Sequence, residues 1–198
     1  RQNRKPKRIQ KQLIEKGFER ENILLIEKLF ADNTFHIQYF KNKTGIEIGG
    51  PTELFSYIYD DCKACDGVDF CVHTVWRTLE TKEFKYADKL LGQSFIMEAT
   101  DMQQIEDESY DFVLSSNNLE HIANPLKALR EFSRVVKKGG AVLVLVPMKD
   151  RCFDHNRNYT TFEHLTEDFF NGIGENDLTH LDEIIEKHDY DMDVACGG

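Results

Sequence analysis

The stretch Thr44-Gly45-Ile46-Glu47-Ile48-Gly49-Gly50-Pro51-Thr52 decides the fold. Isoleucines either side of Glu47 read as a short strand, and the two glycines after it as a turn. Gly49 and Gly50 remove side chains where the chain must turn tightly and approach a ligand closely. A carboxylate two residues before that turn suits a positively charged amine better than a phosphate. Pro51 and Leu54 stand where the dinucleotide fingerprint G-x-G-x-x-G would carry its later glycines, which counts against a nicotinamide oxidoreductase.

Working outward, Ala64–Phe70, Ser94–Met97, Tyr110–Ser115 and Ala141–Pro147 read as four further strands. Between the last two, Asn124 is a good N-cap and Pro125 suits the first helical position. Leu126, Leu129, Phe132, Val135 and Val136 supply the apolar stripe, and Gly139-Gly140 is the expected stop, with Lys137 and Lys138 in the last turn. Strands alternating with helices of this length predict a mostly parallel sheet flanked by helices, the Rossmann-like α/β class. Ligands of such sheets lie beyond the carboxyl ends of the strands. Ahead of the sheet, Ile9, Leu13, Ile14, Ile23, Leu24, Ile26, Leu29 and Phe30 recur at helical spacing. The expected organisation is therefore a helical extension over 1–42, a ligand-binding core over 43–147 and a helical segment over 148–198. In that last segment helices are expected near Thr161–Phe170 and Leu178–His188.

Composition excludes several classes. A formal charge of −10 lacks the basic footprint of general nucleic-acid binding, although residues 1–20 are locally basic. No apolar run approaches the roughly 20 residues of a membrane span, and no secretory h-region is present, so a cytoplasmic location is the expectation. The five cysteines form no disulfide framework; Cys62-x-x-Cys65 is a single pair that a zinc site would have to complete with Cys71 or distant ligands.

Acidic residues recur on schedule. Asp69 falls at the end of the second strand, where an acid usually pairs with ribose hydroxyls, with Asp66 as its competitor. Glu98-Ala99-Thr100-Asp101 follows the third strand, and Ser115-Ser116-Asn117-Asn118-Leu119-Glu120-His121-Ile122 ends the fourth. These motifs, in this order, resemble those of class I S-adenosylmethionine-dependent methyltransferases of the small-molecule type. Glu47-Ile48-Gly49-Gly50 resembles their first motif in a Gly-Gly-Pro variant, and Gly67-Val68-Asp69 their ribose-binding strand end. Glu98-Ala99 falls where they recognise adenine. Tyr110–Ser115 with Leu119-Glu120-His121-Ile122 is similar to their fourth strand and the turn after it. Lys137-Lys138-Gly139-Gly140 is similar to their K-P-G-G segment, with Lys138 replacing proline.

The resemblance covers about residues 44–147 and implies methyl transfer from S-adenosylmethionine, with S-adenosylhomocysteine as product. Glu47, Gly49, Gly50 and Pro51 are then expected at the methionine portion and Asp69 at the ribose. Glu98, Ala99 and Asp101 are expected at the adenine, and Ser115 and Asn117 beside the transferring methyl.

Beyond Pro147, the stretch holding Asp154-His155-Asn156-Arg157, Thr161–Leu165 and Asp177–His180 resembles bacterial methyltransferases associated with surface-polysaccharide biosynthesis. Transfer to a neutral oxygen is helped by a general base. His121, His155, His164, His180 and His188 are the candidates, of which His155, His164 and His180 crowd the polar stretch beyond the fifth strand. His121 and Arg157 are candidates for contacting the acceptor, Arg157 or Arg151 suiting an anionic one. The same histidines with Glu163, Asp168 or Asp182 are a metal alternative without a compact motif, so no metal is expected. The expected partner is a small-molecule acceptor, with no nucleic acid and no membrane span; self-association is compatible. A non-catalytic cofactor-binding relative is the alternative. The resemblance also implies a sixth and an antiparallel seventh strand, which residues 148–198 do not show; a truncated C-terminus, or strands supplied by a partner, is the expectation. The initial Arg1 points the same way.

Overall fold

The computed structural model describes residues 37–73, 78 and 81–193. The helices expected over residues 9–30 lie outside them. Strand β1 spans Thr44–Ile48, and a single turn at Glu53–Phe55 leads into α1, Ser56–Asp61. Then come β2 (Ala64–Asp69), β3 (Glu83–Tyr86), β4 (Lys89–Ile96) and β5 (Tyr110–Ser116). Helix α2 (Pro125–Val135) precedes β6 (Val136–Leu145), and α3 (Phe162–Asn171) and α4 (Leu181–Lys187) follow.

The strands form one sheet in the order β3-β4-β2-β1-β5-β6. Every neighbouring pair is parallel except β3 with β4. From β1 the chain builds outward through β2 and β4 on one side, then through β5 and β6 on the other. The order reverses between β1 and β5, and a crevice at such a switch point is where open α/β sheets take their ligands. The expected mostly parallel, Rossmann-like sheet is therefore present.

Alternation along the strands separates two apolar layers. Ile46, Ile48 and Val113 face α2, which contributes Ala128, Phe132 and Val135. Phe112 and Leu114 face the other way, towards Phe55, Ile58 and Tyr59 of the α1 region. Each large apolar side chain buried here is worth about 1.5–3 kcal/mol. The N-terminus of α2 forms as its sequence dictates: the Asn124 carboxamide oxygen accepts from the Lys127 amide at 3.1 Å, and Pro125 opens the helix.

Three expectations need correcting. Helix α2 ends at Val135, not at Gly139-Gly140, because Val136 is already extended at φ −79°, ψ 137°. Lys137 and Lys138 thus lie in β6, and the Lys137 ammonium pairs with Asp111 at 2.9 Å. Gly139, at φ 76°, belongs to an excursion within β6 that shifts its register against β5 between Tyr110 and Phe112. The third parallel strand is longer than Ser94–Met97, because its first half pairs with β3 as an antiparallel hairpin. Phe84 and Leu91 anchor that hairpin in the core.

Beyond β6, the Thr161 hydroxyl caps α3 through the His164 amide at 3.1 Å, and Gly172 closes it in the left-handed conformation. Neither α3 nor α4 fully buries a residue. Among the described residues no strand follows Leu145, and no helix is long and apolar enough to cross a membrane.

Candidate functional site

Parallel pairing brings the carboxyl ends of five strands to one edge. Ile48 lies beside Val68 and Ser115, Asp69 beside Ile96, and Ser116 beside Leu145. Glu47, Asp69, Ser115 and the loop bearing Glu98, Ala99 and Asp101 therefore share one rim, as the sequence implies. His121 sits in the turn Leu119–His121 after β5.

Glu47 is fully buried. A carboxylate in such a place must be held by hydrogen bonds. The Tyr59 hydroxyl donates to its Oε2 at 2.5 Å, and the same hydroxyl oxygen accepts from the Thr52 amide at 3.0 Å. Burial, together with the Glu47 carboxylate beside it, holds the Tyr59 phenol far above its ordinary range, so it stays a neutral donor. Gly50 passes directly over this carboxylate: a Cβ there would stand 1.9 Å from the Glu47 carboxyl carbon. Gly49 has φ +78°, the left-handed region, and a Cβ on it would lie 2.5 Å from Asn118 Nδ2. Pro51 follows, partly buried. Strand β1 thus delivers a buried carboxyl group to a surface made of bare backbone.

Asp69 is buried at the end of β2. Its competitor Asp66 is occupied within the sheet, accepting from the Tyr110 hydroxyl at 2.7 Å and the Gln93 amide at 2.8 Å. After β4 the chain makes a turn, Asp101 N–H donating to the Glu98 carbonyl at 3.0 Å, which leaves both carboxylates exposed. At the end of β5, Ser115 Oγ, Ser116 Oγ and Asn118 Oδ1 are buried without a hydrogen-bond partner among the described residues. Orphaned polar atoms around a glycine cradle fit a polar ligand at this rim. Asn117 is exposed at φ +46°, and its amide donates to the Leu145 carbonyl, so the side chain packed over Gly49 is that of Asn118.

The histidines gather in the C-terminal layer. His164 and His180 meet with their Nε2 atoms 3.1 Å apart, one necessarily donating and the other accepting. Asp168 approaches His164 Nε2 at 3.3 Å, and Glu183 approaches His180 Nδ1 at 3.8 Å. Arg157 joins the group through Glu183 at 3.8 Å and is also held by Asp154 at 3.4 Å. His155 stands apart, paired with Asp189 at 3.6 Å. Among the described residues no group of three or more His, Cys, Asp or Glu is arranged to hold a metal ion. This layer is fastened to the sheet near α2, where the Asn124 amide nitrogen donates to the carbonyls of Asp168 and Ile173 at 3.0 and 3.2 Å.

Tyr59 and Asn118 were not singled out by the sequence. Asn118 was signalled only by its position beside Asn117, and Tyr59 by nothing local.

No curated protein matches the chain. Its fold is similar to that of a candidate methyltransferase solved with the Trm112 methyltransferase activator of Haloferax volcanii (19% identity, TM-score 0.45, 67% of this chain and 52% of that one). It is also similar to a candidate S-adenosyl-L-methionine-dependent methyltransferase of Methanococcus maripaludis (21%, 0.44, 81% and 67%). A third is a methyltransferase dependent on the same cofactor from Aquifex aeolicus (18%, 0.41, 68% and 68%). The chain spans about half the length of several such structures, 52%, 41% and 50% in three cases. The family model described as "Methyltransferase domain" matches residues 46–144, from β1 into β6. The chain therefore belongs to the methyltransferase domain family.

Proposed function

We propose that this chain transfers a methyl group from S-adenosylmethionine to an oxygen of a small acceptor, such as a sugar, phosphate or carboxylate-bearing metabolite. The observation that carries this reading is the fully buried Glu47 under the bare backbone of Gly50, on the same rim as buried Asp69. An anion at that depth suits the ammonium group of an amino acid, and an acid at the neighbouring strand end suits a ribose. When bound, the sulfonium supplies the electrophilic methyl, so the protein's work is to bind, orient and exclude water.

In this reading Glu47, Gly49, Gly50 and Pro51 hold the methionine end, Asp69 the ribose, and Glu98, Ala99 and Asp101 the adenine. Ser115 and Asn117 border the acceptor, and the orphaned atoms of Ser116 and Asn118 extend that border. The His164–His180 pair is the favoured proton acceptor: one imidazole can take a proton that Asp168 and Glu183 then stabilise. His155 is the second choice; His121 and Arg157 are placed at the acceptor. A role in surface-polysaccharide biosynthesis rests on the sequence resemblance of residues 154–180.

Calorimetric titration with S-adenosylhomocysteine tests the reading. Saturable binding, with NAD binding far weaker, is the expected outcome. Preference for NAD, or no binding of S-adenosylhomocysteine, removes the proposal; binding with no methylated product from any oxygen acceptor leaves the non-catalytic alternative.

The phenol of Tyr59 gives a second test. Tyr59→Phe removes the donor to Glu47 and leaves the Thr52 amide without its acceptor. A hydrogen bond to a charged group contributes about 1.5–3 kcal/mol, so affinity for S-adenosylhomocysteine is expected to fall about tenfold. Unchanged affinity would separate Glu47 from cofactor binding.

A further inference from the structure

We propose that Glu131 and Arg134, on the face of α2 turned towards the β4–β5 loop, are positioning residues that set the protein's selectivity for adenine by bracing residues 98–107. The inference rests on the reading that this loop takes the adenine. Neither side chain belongs to the expected site, and the two lie one helical turn apart on α2.

The geometry is specific to the loop backbone. Glu131, buried to 9% exposure, accepts from the Met102 amide through Oε2 at 2.9 Å. Arg134 Nη2 donates to the Met102 carbonyl at 2.8 Å, so both backbone groups of that residue are held by side chains of one helix. Arg134 Nη1 donates to the Ile105 carbonyl at 2.8 Å and to Asp107 Oδ1 at 2.7 Å. Its Nε and Nη2 close the unit on Glu131 at 3.1 and 2.8 Å, and its carbonyl accepts from the Glu108 amide at 2.9 Å. The guanidinium fork is matched to two carbonyls and two carboxylates at once, an arrangement that an ammonium group cannot reproduce. Hydrogen bonding to Arg134 holds the Glu131 carboxyl below its ordinary range, in keeping with a permanently ionised pair.

The side chains of Met102 and Ile105 already anchor this loop in the core. Apolar anchors are non-directional and tolerate sliding, whereas the brace fixes the orientation of the peptide units around Met102. Asp101 lies immediately before that fixed point, in a turn closed on the Glu98 carbonyl. Its carboxylate, and that of Glu98, can therefore present an acceptor to an exocyclic amine in a constant position. Discrimination by hydrogen bonding depends on such placement, since a small displacement of a polar group forfeits it.

The test compares S-adenosylhomocysteine with its inosine counterpart, which carries an oxygen where adenine carries the amine. Binding is measured calorimetrically in the full chain. The unaltered protein is expected to prefer the adenosine compound by at least about tenfold, the value of one specific hydrogen bond. In Arg134→Lys, which keeps the charge and loses the fork, that ratio is expected to fall to within about threefold of unity. Glu131→Gln keeps an acceptor for the Met102 amide and should give an intermediate ratio, which covers the case of Arg134→Lys failing to fold. A brace that only stabilised the fold would lower the unfolding midpoint and leave the ratio unchanged, and that result overturns the proposal. Failure of the unaltered protein to discriminate removes the adenine reading of the loop and the brace with it. Failure to bind either compound removes the cofactor site itself.

Discussion

Gly50→Ala is expected to reduce affinity for S-adenosylhomocysteine by more than about 100-fold, a loss near 3 kcal/mol. The new Cβ would lie 1.9 Å from the carboxyl carbon of Glu47 and 2.1 and 2.4 Å from its two oxygens. Those atoms cannot retreat within their present pocket. Glu47 is fully buried, and the Tyr59 hydroxyl already approaches Oε2 at 2.5 Å. Either the carboxylate leaves its pocket or the Gly49-Gly50 turn lifts away, and both outcomes dismantle the surface that the proposed function assigns to the methionine end of the cofactor. Overpacking costs about 1–3 kcal/mol of stability, so a lower unfolding midpoint should accompany the loss. Gly174→Ala is the matched control, because a Cβ there meets nothing within 4 Å. Calorimetry on both variants decides the matter: equal affinities in Gly50→Ala and Gly174→Ala would mean that the cofactor does not use this turn.

What could be read from the sequence was local. The Ile46–Ile48 strand, its glycine turn and the Asn124-Pro125 helix start each depend on residues a few positions apart, and each forms as expected. The β3–β4 hairpin escaped notice because its turn runs through Ala87, at φ 49°, and Asp88, without the glycine or asparagine that usually signals such a turn. Glu83-Phe84-Lys85-Tyr86 does alternate, but one short alternation without a turn signal is ambiguous. Gly139-Gly140 misled because a glycine pair serves a strand excursion as readily as a helix end; the decisive event was Val136 taking an extended backbone three residues earlier. The partnership of Tyr59 with Glu47 depends on α1 folding back across the sheet, and that of His164 with His180 on the turn between α3 and α4. Side-chain partners brought together by tertiary folding leave no periodicity to find. Asn117 and Asn118 differ only in backbone direction at the end of β5, which sequence cannot supply.

The proposed division between a cofactor rim and an acceptor layer leads to the other large effect. Asp69→Ala is expected to weaken S-adenosylhomocysteine about 30- to 100-fold, because a carboxylate accepting from ribose hydroxyls makes charge-assisted bonds of about 1.5–3 kcal/mol each. Asp69 is 5% exposed at the end of β2, directly beside Ile96 of β4, so alanine leaves a buried polar position with nothing to offer the ribose. His164→Ala should behave in the opposite way. His164 sits on α3, and its hydrogen bonds and ion pairs among the described residues run to His180, Asp168 and Thr161, all in the C-terminal layer. Its removal should leave cofactor affinity within about twofold and lower turnover by about 100-fold or more, the usual contribution of a positioned general base. Asp69→Ala, by contrast, should act mainly on the apparent Michaelis constant for the cofactor. The two variants therefore read the two layers separately. Equal losses of cofactor affinity would show one continuous site and refute the division, while unimpaired turnover in His164→Ala would pass the proton-accepting role to His155, whose partner Asp189 belongs to a different cluster.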